Sequence, residues 1–248
     1  MIILKSRDEI RKMALASRIV GEVLLKLKEA TAPGITTDDL NRMADEMIRQ
    51  KKGVPTFIGY RGYPKALCTS VNEEVVHGIP GKRVLKEGDI IGIDLGVTFE
   101  GFVGDSAITV LVGKVSAEVE RLVRVTAESL DRAIEMVRVD ARLGDVGFAV
   151  QSHAEANGFS VVRDFVGHGI GRNMHEEPQV PNFGKPGTGL RIQEGMVLAI
   201  EPMVNMGTWE TEILKDGWTV VTKDRKWSAH FEHTVACTAE GPIVLTRV

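Results

Sequence analysis

An order of two helices followed by strands runs through this chain twice, and it narrows the possible folds more than any other feature of the sequence. Ser6 and Glu9 have the spacing of a capping box. Ile10, Met13, Ala14, Val20, Leu24 and Leu27 follow near helical periodicity, so a long helix is expected to about Ala30. The tripeptide APG (Ala32 to Gly34) breaks it. A second helix is expected from Thr36 or Thr37, with Leu40, Met43, Ala44, Met47 and Ile48 on one face and Lys51, Lys52 and Gly53 at its end. Strand and loop signals then run from Val54 to Val115. The order restarts at Ser116, with Val119, Leu122, Val123, Leu130, Ile134 and Val137 on a long apolar face. A short helix is expected from Asp145 to Asn157, stopped by Gly158, and strand-rich sequence resumes at Phe159. The offset is about 110 residues. One α+β domain over residues 1–248 is expected, built from two pseudo-symmetric halves of roughly 6–115 and 116–248. A ligand site in the cleft between the halves follows naturally. Chance alternation would produce the same order, so the chemistry has to support the repeat.

Bulk properties exclude several classes. The formal net charge is -3, which leaves no electrostatic footprint for nucleic acid or an anionic membrane. No apolar run approaches the ~18 residues of a membrane span. The start, MIILKSRDEIRK, places its short apolar patch before the charges, the reverse of a secretory signal, so a cytoplasmic protein is expected. Cys68 and Cys237 lie far apart with no CxxC spacing, which indicates neither a disulfide framework nor a cysteine metal site.

The stretch IDLGVTFEGFVGD reads as two apolar strands joined by a tight turn, each carrying one aspartate, Asp94 and Asp105. With the turn at Phe99 and Glu100, the two carboxylates oppose each other with Cβ atoms ~5 Å apart. Like charges placed so in an apolar sheet are costly. A shared proton or a cation would offset the cost, and solvation of one aspartate at a strand end would avoid it. Other segments weigh in. GHGIGRNMHEEP sets His168 among glycines, which let a backbone approach a ligand closely, with His175 seven residues on. GMVLAIEP ends an apolar strand on Glu201. SAHFEHTVACT alternates, so His230, Glu232 and Thr234 share one face. Taken singly, each is also an ordinary strand-end charge or a hydrogen-bonded loop histidine. Taken together, two Asp, two Glu and one His are too rich in oxygen for a structural zinc site and too many for one catalytic zinc. They suit two divalent ions ~3.5–4 Å apart. The donor set fits Mn or Fe and accepts Co or Zn.

At these residues the sequence resembles the methionine aminopeptidases, type I, of the bacterial kind without an N-terminal extension. The likeness covers essentially the whole chain and rests on NEEVVHGIP, GDIIGIDLGVTFEGFVGD, GHGIGRNMHEEP, GMVLAIEP, KDGWTVVTKD and FEHTV. It implies the pita-bread fold, two related halves of helices packed on a curved antiparallel sheet. It implies that Asp94 chelates one metal, that Asp105 and Glu232 bridge two, and that His168 and Glu201 complete the second. A water or hydroxide between the metals is then the nucleophile, and Glu201 shuttles its proton to the leaving amine. His175 is implied to bind the substrate carbonyl as it becomes an oxyanion, and His77 to lie near the scissile amide nitrogen. Phe57, Tyr60, Tyr63, Cys68, Met174 and Trp218 match the methionine pocket. Relatives often have Cys where this chain has Phe57, Phe where it has Met174, and Gln where it has His230. His230 is expected either at the site rim or solvated, and His153 and His233 in structural roles.

The resemblance further implies a monomer acting on the N-termini of nascent chains with a small second residue, near the ribosome, with no membrane and no specific nucleic acid as partner. Three other readings compete. A prolidase or Xaa-Pro aminopeptidase shares the ligands, but usually carries an extra N-terminal domain, for which a first helix starting at Ser6 leaves no room. A non-catalytic binding protein of the same fold lacks metal ligands, whereas all five are present here. A dinucleotide site is disfavoured because Gly167, Gly169 and Gly171 are followed by Arg172 and miss the GxGxxG spacing.

Overall fold

The computed structural model describes the whole chain, Met1 to Val248. Each of its four helices begins where a polar group can take up free backbone N–H groups. Ser6 Oγ accepts from the Glu9 N–H, and the Glu9 carboxylate accepts from the Ser6 N–H, to start α1 (Arg7–Ala30). Thr36 and Asp39 do the same for α2 (Thr37–Gln50). Ser116 caps α3 (Ala117–Glu135). Helix α4 (Leu143–Ala156) starts earlier than the expected Asp145. Asp145 is its third residue, and its carboxylate reaches back to the Arg142 N–H at 2.9 Å. From sequence alone an aspartate reads the same in either place.

A nine-stranded sheet forms the centre of the molecule. Its path runs from Val54–Pro55 through the hairpin strands Ile90–Phe99 and Phe102–Leu111 to Glu232–Thr238, Val197–Ile200, Gly167–Gly169 and Glu176–Val180. Cys68–Val71 pairs onto the first hairpin strand, and Gly241–Val244 onto Glu232–Thr238. Two three-stranded sheets flank it. The seam in the middle of the path is short: the second hairpin strand meets Glu232–Thr238 only through Glu232 opposite Ala107 and His233 opposite Ser106.

The hairpin register differs from the expectation. The turn residues are Glu100 and Gly101, with φ of 49° and 79°. Two consecutive positive φ values make the kind of turn whose twist matches the flanking strands, and glycine suits the second position. The shift sets Asp94 opposite Ala107 and Asp105 opposite Gly96. The two aspartates therefore share a face as diagonal neighbours instead of confronting each other directly.

Alternation along the strands separates two faces. Ile91, Ile93, Leu95 and Val97 point toward α1 and α2 and join Val20, Leu24, Leu40 and Ile48 in one apolar cluster. Leu198, Ile200, Val235 and Cys237 join Leu122, Leu130, Val146 and Val150 of α3 and α4 in another. Asp94, Asp105, Ala199, Glu232 and Thr234 are the alternate residues, so they point to the face without helices.

Candidate metal centre and substrate pocket

Strand pairing brings the acids together row by row. Asp94 and Glu232 both stand opposite Ala107, from its two sides. Asp105 is two positions before Ala107 and so lies on the same face. His233 pairs with Ile200, and one further step of that register puts Glu201 beside Glu232. His168 pairs with Ala199, two positions from Glu201. Four donors from four strands, and Glu201 from the residue just beyond the strand Val197–Ile200, thus gather on one face, and the small side chains of Ala107 and Ala199 leave the middle of it open. His168 Nε2 lies 3.6 Å from Glu201 Oε1 and 4.0 Å from Asp105 Oδ2. Donor atoms of Asp105, His168 and Glu232 all lie within 4.8 Å of one another.

Hydroxyl groups tie these strands where the backbone ladder is too short to do so. Thr234 Oγ1 accepts from the Asp105 N–H at 3.1 Å and donates to the Asp105 carbonyl at 2.7 Å. Ser106 Oγ donates to the Glu232 carbonyl at 2.5 Å. The backbones of Asp105 and Glu232 are thereby each held to the neighbouring strand. The glycines around His168 also have a different role from the one expected. A Cβ on Gly167 would lie 2.3 Å from the Ala199 carbonyl oxygen, and one on Gly169 would lie 2.3 Å from that of Glu177. They allow strands to approach each other, not a ligand.

The electrostatics call for a cation. Asp94 Oδ1, Asp105 Oδ1 and Glu232 Oε1 are buried without any hydrogen-bond partner. A buried, unsatisfied carboxylate oxygen is costly. Burial, with Asp105 nearby, pushes Asp94 well above the ordinary carboxyl range, and burial pushes Asp105 up to about 7. Burial and the neighbouring acids push Glu201 and Glu232 up as well. Burial, with a smaller contribution from His175, drives His168 down to about 3, so it presents a neutral nitrogen. Orphaned oxygens around a neutral imidazole are a donor set for a hard or borderline divalent ion, and the residues present fit one.

Beside the acids lies a cavity of about 120 Å³, the scale of one side chain. Fourteen residues line it, comprising every site residue inferred from the sequence and one more, Arg61. Its walls are rings meeting edge to face: Phe57 with Tyr63 at 6.3 Å, Tyr63 with Trp218 at 5.0 Å, and Trp218 with His77 at 6.3 Å. Phe57 and Met174 both lie over Gly96, where a Cβ would come within 2.8 Å of Phe57 Cε1 and 3.3 Å of Met174 Sδ. A flexible thioether beside the larger residue at 57 fills the same wall. Cys68 stands opposite Asp94 on the adjoining strand, and burial raises its thiol well above the ordinary value. Tyr60 Oη lies 2.7 Å from His175 Nδ1. Burial, then the charge of Arg61, lowers His175, and burial lowers His77 to about 4.

Two features at the site, Arg61 and the Lys5–Glu176 pair, lie outside the sequence expectations, and a third decides between the two expected for His230. Arg61 sits at φ 50° between Gly59 and Gly62, both at positive φ, and the GYRG spacing was the available signal. The turn before His175 is held by Glu176, which accepts from the Arg172 and Asn173 N–H groups and from Lys5 Nζ at 2.6 Å. Both side chains of that ion pair are 4% exposed. Lys5 is far away in sequence, so nothing local marked it. His230 is buried against Glu201, not solvated. His153 bonds Glu128 on α3, and His233 bonds Thr246.

Residues 11–239 match the model of metallopeptidase family M24. The chain belongs to that family. It is 55% identical to a methionine aminopeptidase of Clostridium perfringens over 248 residues, which is all of both chains. It is 48% identical to methionine aminopeptidase 1 of Bacillus subtilis, again over the full length of both. The crystal structure of a methionine aminopeptidase from Thermotoga maritima superposes with a TM-score of 0.98, at 46% identity and with both chains fully covered. A prolidase from Pyrococcus furiosus gives 0.79 at 18% identity over 66% of its chain, which shows a shared fold alone. The four helices and antiparallel sheet are thus the pita-bread arrangement of M24 enzymes. This M24 chain is a divalent-metal peptidase, and its substrates are peptides. No helix in it is long and apolar enough to cross a membrane.

Proposed function

We propose that this enzyme removes the N-terminal methionine from new polypeptides whose second residue is small. The observation that carries the reading is the placement of five carboxylate and imidazole donors at one wall of a side-chain-sized pocket lined by aromatic and sulfur-bearing groups. Asp94, Asp105, His168, Glu201 and Glu232 are assigned to two divalent ions, from among Mn, Fe, Co and Zn. Such ions supply Lewis acidity and bring the pKa of bound water to about 7.

The remaining steps belong to the chain. Phe57, Tyr63, Trp218, Cys68 and Met174 enclose the methionine side chain by dispersion and sulfur–ring contact, and the small cavity excludes a long chain extending from the substrate's N-terminus. Glu201 takes a proton from the attacking water and delivers it to the departing amine nitrogen. Burial and the neighbouring acids raise its proton affinity above that of an ordinary carboxylate, the direction that suits a group that takes up a proton. Tyr60 donates its phenol proton to His175 Nδ1, which leaves the N–H on Nε2 to donate to the carbonyl oxygen as charge develops there. His77, kept neutral by burial, stands against Trp218 and serves the amide nitrogen. A monomer working in the cytoplasm near the ribosome completes the proposal.

One assay tests it. The purified enzyme with Mn, Fe, Co or Zn in turn should release methionine from Met-Ala-Ser and leave the N-acetylated and Pro-second peptides intact. Cleavage only before proline, or none with any metal, would reject the reading. Glu201→Ala should lower kcat by about 10²–10⁴-fold while the melting temperature shows a folded protein; an active Glu201→Ala enzyme removes the proton-transfer assignment.

A further inference from the structure

His230 is 3% exposed and closes the strand Ser228–His230, yet it does not line the substrate cavity. Its backbone is fixed from both sides by one hydroxyl. The His230 N–H donates to Thr109 Oγ1 at 2.9 Å, and Thr109 Oγ1 donates to the His230 carbonyl at 2.7 Å. Its side chain ends in a nitrogen with no partner: Nε2 is buried and makes no hydrogen bond. That nitrogen faces Glu201, 3.8 Å from Oε2. The other oxygen of the same carboxylate, Oε1, faces His168 Nε2 at 3.6 Å. Glu201 is therefore bracketed by two imidazoles, one within the donor cluster and one behind it. The Thr109 hydroxyl fixes where the Cα–Cβ bond points, and burial leaves the His230 ring little space to turn elsewhere. A buried imidazole nitrogen without a partner is rare unless a partner arrives with a ligand.

Building on the reading above, we propose that His230 is a positioning residue for Glu201: its Nε2–H donates to Oε2, so that Oε1 is the oxygen turned to the cation site and to the proton it must carry. The approach needed is roughly 1 Å, from the present separation to an ordinary N–H···O distance. Carboxylates that hold metals are commonly held in turn by such a donor, and losing it typically costs 10–100-fold in metal affinity or activity. Here the donor is an imidazole projecting from a strand edge that Thr109 locks in place.

The test compares H230L, which removes the donor at similar bulk, with H230Q, which keeps an N–H donor on a different side chain. H230M replaces H230L if the latter melts below the assay temperature. With saturating Mn, H230L should lose 10–100-fold in kcat on Met-Ala-Ser with KM changed less than about twofold, and titration calorimetry with Mn should show about tenfold weaker binding. H230Q should recover kcat to within a few-fold of the parent, which a purely packing role for the ring would not produce. Wild-type kcat and Mn affinity in the apolar variant, or a loss that H230Q fails to repair, overturns the proposal. The calorimetric arm reads His230 even if the parent enzyme released no methionine, an outcome that would reject the functional reading separately.

Discussion

At the scale of single residues, what distinguishes this protein is a concentration of buried ionisable groups in which Asp94, Asp105 and Glu232 each keep a carboxylate oxygen without a hydrogen-bond partner. Their protonation makes the metal-free chain sensitive to pH in a definite direction. Asp105 is raised from an ordinary 3.8 to about 7, and Asp94, Glu201 and Glu232 are raised too. Below the ordinary carboxyl range both folded and unfolded chains carry these protons. As pH rises from about 4, the unfolded chain releases them first while the folded chain retains them, so stability falls until the folded pKa is passed. The expected outcome is a melting temperature of the chelator-treated protein that declines relative to the metal-loaded protein between about pH 4 and 7. Parallel melting curves across that window would show that the acids are not buried as described.

At the scale of elements, a few small residues decide whether the strands make a site. Ala107 and Ala199 occupy the middle of the donor face, and Gly96 makes room for Phe57 and Met174. Gly96→Ala is expected to push the Phe57 ring into the pocket, because the added carbon would lie 2.8 Å from it. KM for Met-Ala-Ser should rise several-fold, about 1 kcal/mol of lost uniform binding, with kcat and Mn affinity little changed. A fall in kcat with unchanged KM would place Gly96 in the metal centre and not in the pocket wall. The Ser6–Glu9 capping box, the helix faces and the alternation of the hairpin strands are local patterns, legible at this scale, whereas the break at Phe231, which puts His230 in a different sheet from Glu232, is not. The hairpin register was not, because a turn moved by one residue at Glu100 and Gly101 leaves the hydrophobic alternation intact. The role of the glycines flanking His168 was hidden for a related reason: strand approach and ligand approach both require a missing side chain.

At the scale of the whole molecule, the donors stitch the chain together. Asp94 and Asp105 come from the first hairpin, while His168, Glu201 and Glu232 come from the later strands, and the two sets meet across a seam of only two paired positions. An ion held by these residues, as proposed, would join parts of the sheet that the backbone ladder joins through only two paired positions. Free Mn at about 100 times Kd should add roughly 2.7 kcal/mol, which for a chain of this size raises Tm by about 5–10 °C. Calorimetric scans with Mn and with a chelator check this. A melting temperature that ignores the metal would mean that the donors are not organised as a site. The sequence by itself determined the order and approximate extent of the helices, which strand faces are apolar, which acids and histidines are candidates for chemistry, and the M24 motifs, since each is written in residue type and short-range spacing. Only the tertiary structure decided the register that makes the aspartates diagonal, the burial of His230 behind Glu201, the Lys5–Glu176 pair under the His175 turn, and the place of Arg61 at the pocket. Those depend on pairings between segments remote in sequence, whose energies come from geometry and desolvation that no local pattern records.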